Sequence, residues 1–128
     1  MRGPNAGFGL ITSRDLRIKR IYDEPDARDG YRVLVDRLWP RGVSKQRAKL
    51  DAWEPKLAPS AALRTWFGHD PARFTEFRQR YRAELAKVPS LVEAIRRRAL
   101  DERVTLLYAA RDPTHNHAIV LRNFIRAA

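Results

Sequence analysis

Asp36, Arg37, Trp39 and Arg41 fall within six positions, directly after the apolar run Val33-Leu34-Val35. Each residue type suggests a chemistry. A carboxylate can hold or move a proton. Two guanidinium forks can grip a phosphate or a carboxylate through paired hydrogen bonds, and an indole can border a ligand. A structural reading competes with this one. Asp36 and Arg37 could form a buried pair that fixes the loop, because a buried charge needs a partner, and Trp39 could be ordinary packing. Pro40 and Gly42 shape the turn that follows, Gly42 through a positive φ.

A second cluster ends another apolar run. Tyr108, Arg111, Asp112, His115, Asn116 and His117 follow the core segment that begins at Val104. Arg111 adds a cation, and Tyr108 or Asn116 would orient a polar group. His117 could face Asp36 or Asp112, and such a pair moves protons. Asn116 could equally cap a helix. The third cluster is Trp66-Phe67-Gly68-His69-Asp70-Pro71. His69 suits a general base near neutral pH, or a local hydrogen bond that tightens the loop. Arg64, just before, either reaches the same region or stays solvated. Trp66 and Phe67 read as core. Asp36, His69 and His117 are the candidate proton carriers. Arg37, Trp39, Arg41, Arg64, Tyr108, Arg111 and Asn116 are the candidate ligand contacts.

Asp112, His115 and His117 invite a metal reading, but a lone His-x-His is a weak signal and no HExxH is present, so no metal is assigned. There is no Walker A sequence, no G-x-G-x-x-G and no zinc-finger spacing, and no cofactor is called for. No serine sits in a G-x-S-x-G context, which leaves a hydrolase triad unsupported. With zero cysteines, thiol catalysis and disulfides are excluded.

These clusters need elements to position them. Leu16–Tyr22 alternates as a strand with one wetter face, Leu16, Ile18 and Tyr22 inward, with Ile21 breaking the pattern. Pro25 and Asp29-Gly30 form turns, and Tyr31–Asp36 is a deeper strand. Residues 43–58 hold a short helix and then a strand or turn near Trp53, with Pro55 barring a helix through it. Ser60 caps a short helix that Gly68 ends. Asp70 and Pro71 open a helix whose stripe is Phe74, Phe77, Tyr81 and Leu85. Pro89 ends it. Ser90 and Glu93 match a capping box for the next helix, with Leu91, Val92, Ile95 and Ala99 inward and Arg96–Arg98 as a positive band. Val104–Ala109 is the strongest strand. A last helix starts between Thr114 and Asn116 and runs to Arg126, burying Ala118, Ile119, Leu121 and Ile125, with Phe124 as a further candidate for that side.

Strands interspersed with amphipathic helices predict an α/β fold: a small single domain over 16–128, with a central mostly parallel or mixed sheet and packed helices, preceded by a flexible arm over 1–15. If the two most apolar strands are parallel neighbours, the clusters at their carboxyl ends rim one cleft. If they are antiparallel, the clusters lie at opposite ends.

The chain has 128 residues, of which 44% are apolar, which fits one domain. Its net charge is +11, from 26 Lys and Arg against 15 Asp and Glu. Such a field attracts nucleotides, polyanions and acidic surfaces. No apolar run approaches a membrane span, so no membrane partner is expected. A reducing cytoplasm suits the composition.

The stretches RVLVDRLWPRGVSK at 32–45, LAPSAALRTWFGHDP at 57–71 and VTLLYAARDPTHNHAIVL at 104–121 resemble, in this order, the bacterial YeaO-like family. The resemblance covers about Leu16 to Phe124. It implies a small cytosolic α/β protein and directs attention to Asp36, Arg37, Arg41, His69, Tyr108 and Asn116 as the polar members of its motifs. It implies no reaction. The sequence thus leads to a binding or enzyme-like domain for a small phosphate- or carboxylate-bearing ligand. A nucleic-acid-binding protein and a structural or protein-interaction role are the alternatives.

Overall fold

The computed structural model describes residues 15–128, so the arm expected over 1–15 lies, apart from Asp15, outside the described residues. Strands β1 (Leu16–Arg20), β2 (Tyr31–Leu34), β3 (Ala52–Trp53) and β4 (Val104–Tyr108) form one sheet in the order β1-β4-β2-β3. All pairings are parallel, with Leu16 and Tyr31 both opposite Val104 and Leu34 opposite Leu107. Strand β4 is flanked on both edges and covered on both faces, and every residue in it is buried. That is why it reads as an unbroken apolar run rather than an alternating one.

Strand alternation sorts the side chains between two cores. Val33, Val35, Val104 and Leu106 face a large core built with α2 (Ala61–Phe67), α3 (Phe74–Leu85), α4 (Pro89–Asp101) and α5 (His117–Ala127). Leu34 and Leu107 point the other way. They pack with Ile21, Val43 and Ala48, the last at the end of the short helix α1 (Lys45–Ala48). Four helices therefore cover one face, while α1 and turns cover the other. The stripe Phe74, Phe77, Tyr81 and Leu85 of α3 is buried, as its spacing predicts.

The link from β1 to β2 crosses the second face of β4, where Thr105 Oγ1 donates to the Asp29 carbonyl at 2.7 Å. Gly30 ends that crossing at φ +66°, and a Cβ there would lie 2.2 Å from the Arg103 carbonyl oxygen. Only glycine fits. Among the described residues no helix is long and apolar enough to cross a membrane.

Several local expectations shift. Strand β1 stops at Arg20, so Ile21 becomes buried and Tyr22 exposed, the reverse of the alternation. Strand β2 stops at Leu34 and β4 at Tyr108, although the Val35 amide still donates to the Leu107 carbonyl at 3.0 Å. Residues 43–58 resolve into α1, capped by Ser44, then β3 and a 3-10 turn at Pro55–Leu57. Asp70 caps a 3-10 turn, Pro71–Arg73, which runs into α3. The Ser90–Glu93 capping box does not form, because Pro89 takes the first position of α4 and Val88 becomes the cap. Glu93 instead pairs with Arg96 and Arg97, and Glu102 with Arg98. The expected positive band is thus matched by carboxylates.

Candidate functional site

Beyond β2 the chain turns to the second face, where Trp39, Val43 and Ala48 pack. Beyond β4 it turns to the helix face and enters α5. Parallel neighbours whose continuations leave to opposite faces open a crevice between their carboxyl ends. A cleft of about 650 Å3 lies there, within the size range of small-molecule sites. The parallel arrangement brings all three sequence clusters to it. Asp36, Arg37, Trp39 and Arg41 line it from the β2 exit, Arg64 and His69 from α2 and the loop after it, and Arg111, Asp112, His115, Asn116 and His117 from the β4 exit. Tyr108 is not brought there. It is buried in β4, and burial raises its phenol above the usual range.

Asp36 ties the crevice together. Its Oδ2 accepts from the Ala109 amide at 3.0 Å, linking the ends of β2 and β4. Its Oδ1 lies 3.0 Å from His117 Nε2. That nitrogen is also 3.0 Å from the Val35 carbonyl. A carbonyl can only accept, so Nε2 carries the proton and donates it there, and the basic atom of the neutral ring is Nδ1. Asp36 Oδ1 lies beside Nε2 but makes no hydrogen bond of its own. The Asp36–His117 juxtaposition, one of two pairings open to His117 in the sequence, is the one that forms.

Several other candidates are engaged by the fold. Arg37 donates through Nε to the Pro59 carbonyl (3.1 Å) and through Nη2 to the Ala58 carbonyl (3.3 Å), strapping the β2 exit to the segment before α2. Trp39 donates its indole N–H to the Val43 carbonyl at 2.6 Å and meets Trp53 edge-on at 5.5 Å. Asn116 is 1% exposed, caps α5 by accepting from the Ile119 amide, and donates to the Asp112 carbonyl. Asp112 accepts from the Thr114 and His115 amides and lies 3.0 Å from His115 Nδ1. The Thr114 amide, the largest influence, holds Asp112 down to about 2, against the opposing effect of burial. No three His, Asp or Glu side chains among the described residues gather as a metal-binding group.

Arg41, Arg64 and Arg111 differ from these. All three are exposed and line the cleft, and among the described residues none has a side-chain hydrogen bond or an ion pair. His69 is also exposed on this rim, and its ring has no hydrogen bond among the described residues. Its backbone is left-handed at φ +57°, next to Gly68 at +54°. A histidine in that region is uncommon and costs strain, and such strain clusters at functional sites.

Sequence reasoning missed the apolar part of the cleft. Leu38, Ala58, Pro59, Phe67 and Phe77 line it as well. Phe67 and Phe77 do belong to the core, where their rings stack at 4.3 Å; each also closes the cleft on one side. Only Leu38 carried a signal, as an apolar residue inside a polar motif.

The family described as the inactive DUF488-N3 subclade matches residues 15–128. The uncharacterised protein YeaO of Escherichia coli is 41% identical over 113 residues, covering 88% of this chain and 98% of that protein. The uncharacterised protein Rv3073c of Mycobacterium tuberculosis is 38% identical over 116 residues, covering 91% and 98%. No solved structure matches. On the extent of these matches, the chain belongs to the DUF488-N3 family, in the subclade described as inactive.

Proposed function

We propose that the protein binds a small phosphate- or carboxylate-bearing ligand in the cleft between β2 and β4. The observation that carries this reading is the trio Arg41, Arg64 and Arg111, which share the cleft without a partner among the described residues. Unpartnered guanidinium groups around one concavity repel one another, and an anion relieves that repulsion while meeting their forked donors. Asp36 and Arg37 hold the walls in place. If a proton moves during binding, the free Nδ1 of His117 is the atom best prepared to take it. The family description carries the word inactive, which favours binding without turnover. A cytoplasmic setting accords with a chain that has no cysteine.

The polymer alternative is less well supported. It calls for a broad face of unmatched cations, yet the densest arginine run, Arg96–Arg98, is paired with Glu93 and Glu102.

A thermal-shift screen of wild type and R41A against phosphates, nucleotides, carboxylates, short RNA and DNA, at two salt concentrations, tests the reading. Stabilisation of wild type by a small anion, lost in R41A, is the expected result. A response to polymers only, fading with salt, would move the assignment to nucleic-acid binding.

A further inference from the structure

The cleft has two chemically distinct levels. Ala58, Pro59, Phe67 and Phe77 are buried, whereas Arg41, Arg64 and Arg111 are exposed. The apolar surface therefore lies deep and the cations lie at the mouth. Leu38, 59% exposed, is the most exposed large hydrophobic side chain among the described residues. It lines the cleft rather than either core. The deep wall is also fixed in advance, because the Arg37 fork holds the Ala58 and Pro59 carbonyls.

From this layering we infer that the ligand is an aromatic anion, its ring seated against Leu38, Pro59 and the Phe67–Phe77 pair and its charged group held outward by Arg41, Arg64 and Arg111. The inference rests on the anion-binding reading above and narrows it. An inorganic anion would leave the apolar wall wet and most of the 650 Å3 unused. An aliphatic tail would cover the wall but would not use what surrounds it. Aromatic rings and guanidinium groups both favour a π-face, the former by offset-stacked or edge-to-face contact and the latter by cation–π contact. A ring carrying one phosphate or carboxylate satisfies both levels together. Its affinity comes from apolar burial, and the mouth selects for the charge.

The test is calorimetric titration of the full chain with inorganic phosphate, phenyl phosphate and 1-naphthyl phosphate, with acetate and 1-naphthoate as the carboxylate arm and 1-naphthol as the uncharged ring. The expected order within each arm rises with ring size, 1-naphthyl phosphate binding at least tenfold more tightly than inorganic phosphate; the tighter arm identifies the charged group. R41A weakens every anion. L38S, an exposed change whose fold is checked by circular dichroism, reduces the advantage of the naphthyl group three- to tenfold. Equal affinity for inorganic and naphthyl phosphate, with L38S without effect, would overturn the aromatic inference and leave the arginine reading standing. Naphthol binding as tightly as its phosphate, with R41A without effect, would overturn both, as would no binding by any probe.

Discussion

The two ends of β2 use arginine in opposite ways. At the amino end Arg32 is 5% exposed. Its guanidinium donates to Asp29 at 2.5 Å and to the Ala48 and Lys49 carbonyls at 2.7 and 3.1 Å. Asp29 is also met by Lys19 at 3.1 Å and by the Asp26 amide at 3.0 Å. Burial alone would raise the Asp29 carboxyl, but these donors outweigh it and hold it below the ordinary carboxylate value. Every charge there has an answer within the protein. At the carboxyl end Asp36 and Arg37 are engaged by backbone groups, but among the described residues Arg41 has no side-chain partner, and neither do Arg64 and Arg111, which line the same cleft. The lesson is that arginine content says little, whereas the absence of a partner around a concavity points to a ligand.

The largest expected break of this contrast is Arg32→Ala. Removing one partner of a buried ion pair costs about 3 kcal/mol or more, because the other charge is left buried. Urea unfolding should show that loss, with Lys19 moderating it. Asp36→Ala comes next. It strips the acceptor from the Ala109 amide at the crevice floor, an expected loss of about 1–3 kcal/mol by the same measurement.

A smaller effect is predicted on the rim as pH falls. Asp112 titrates in the fold at about 2, below its ordinary value of 3.8. Its contribution is therefore fully present above that ordinary value and is lost as pH falls towards 2. The Thr114 and His115 amide resonances should report the loop loosening across that window. The smallest effect on stability is expected for Arg41→Ala, within about 0.5 kcal/mol of wild type, since its side chain is exposed and has no partner among the described residues. A large loss on unfolding R41A would mean that Arg41 belongs to the fold.

Much of this contrast is legible in the sequence, and the parts that are not have physical causes. The two polar exits stand out because β2 and β4 are apolar runs that stop abruptly. Their convergence depended on strand direction, which β4 reveals only by pairing with both β1 and β2 across long separations. The arginine run of α4 looked like a free positive band, yet Glu93 lies three and four residues before Arg96 and Arg97, the spacing at which helical side chains meet. Tyr108 looked like part of an exit cluster, but it is the last paired residue of a strand buried on both faces. The apolar wall from Ala58, Pro59, Phe67 and Phe77 was hidden because a residue that closes a cleft and a residue that fills a core have the same side chain. Nothing in their local pattern separates the two roles.

The most direct test of the central claim is an NMR titration of the arginine side-chain Nε–H resonances with a small anion, 1-naphthyl phosphate. Saturable shifts at Arg41, Arg64 and Arg111, with Arg32 unmoved, are the expected result. Weak, linear shifts spread over all exposed arginines would contradict it, and the carboxyl end of β2 would then be no more a binding site than the rest of a basic surface.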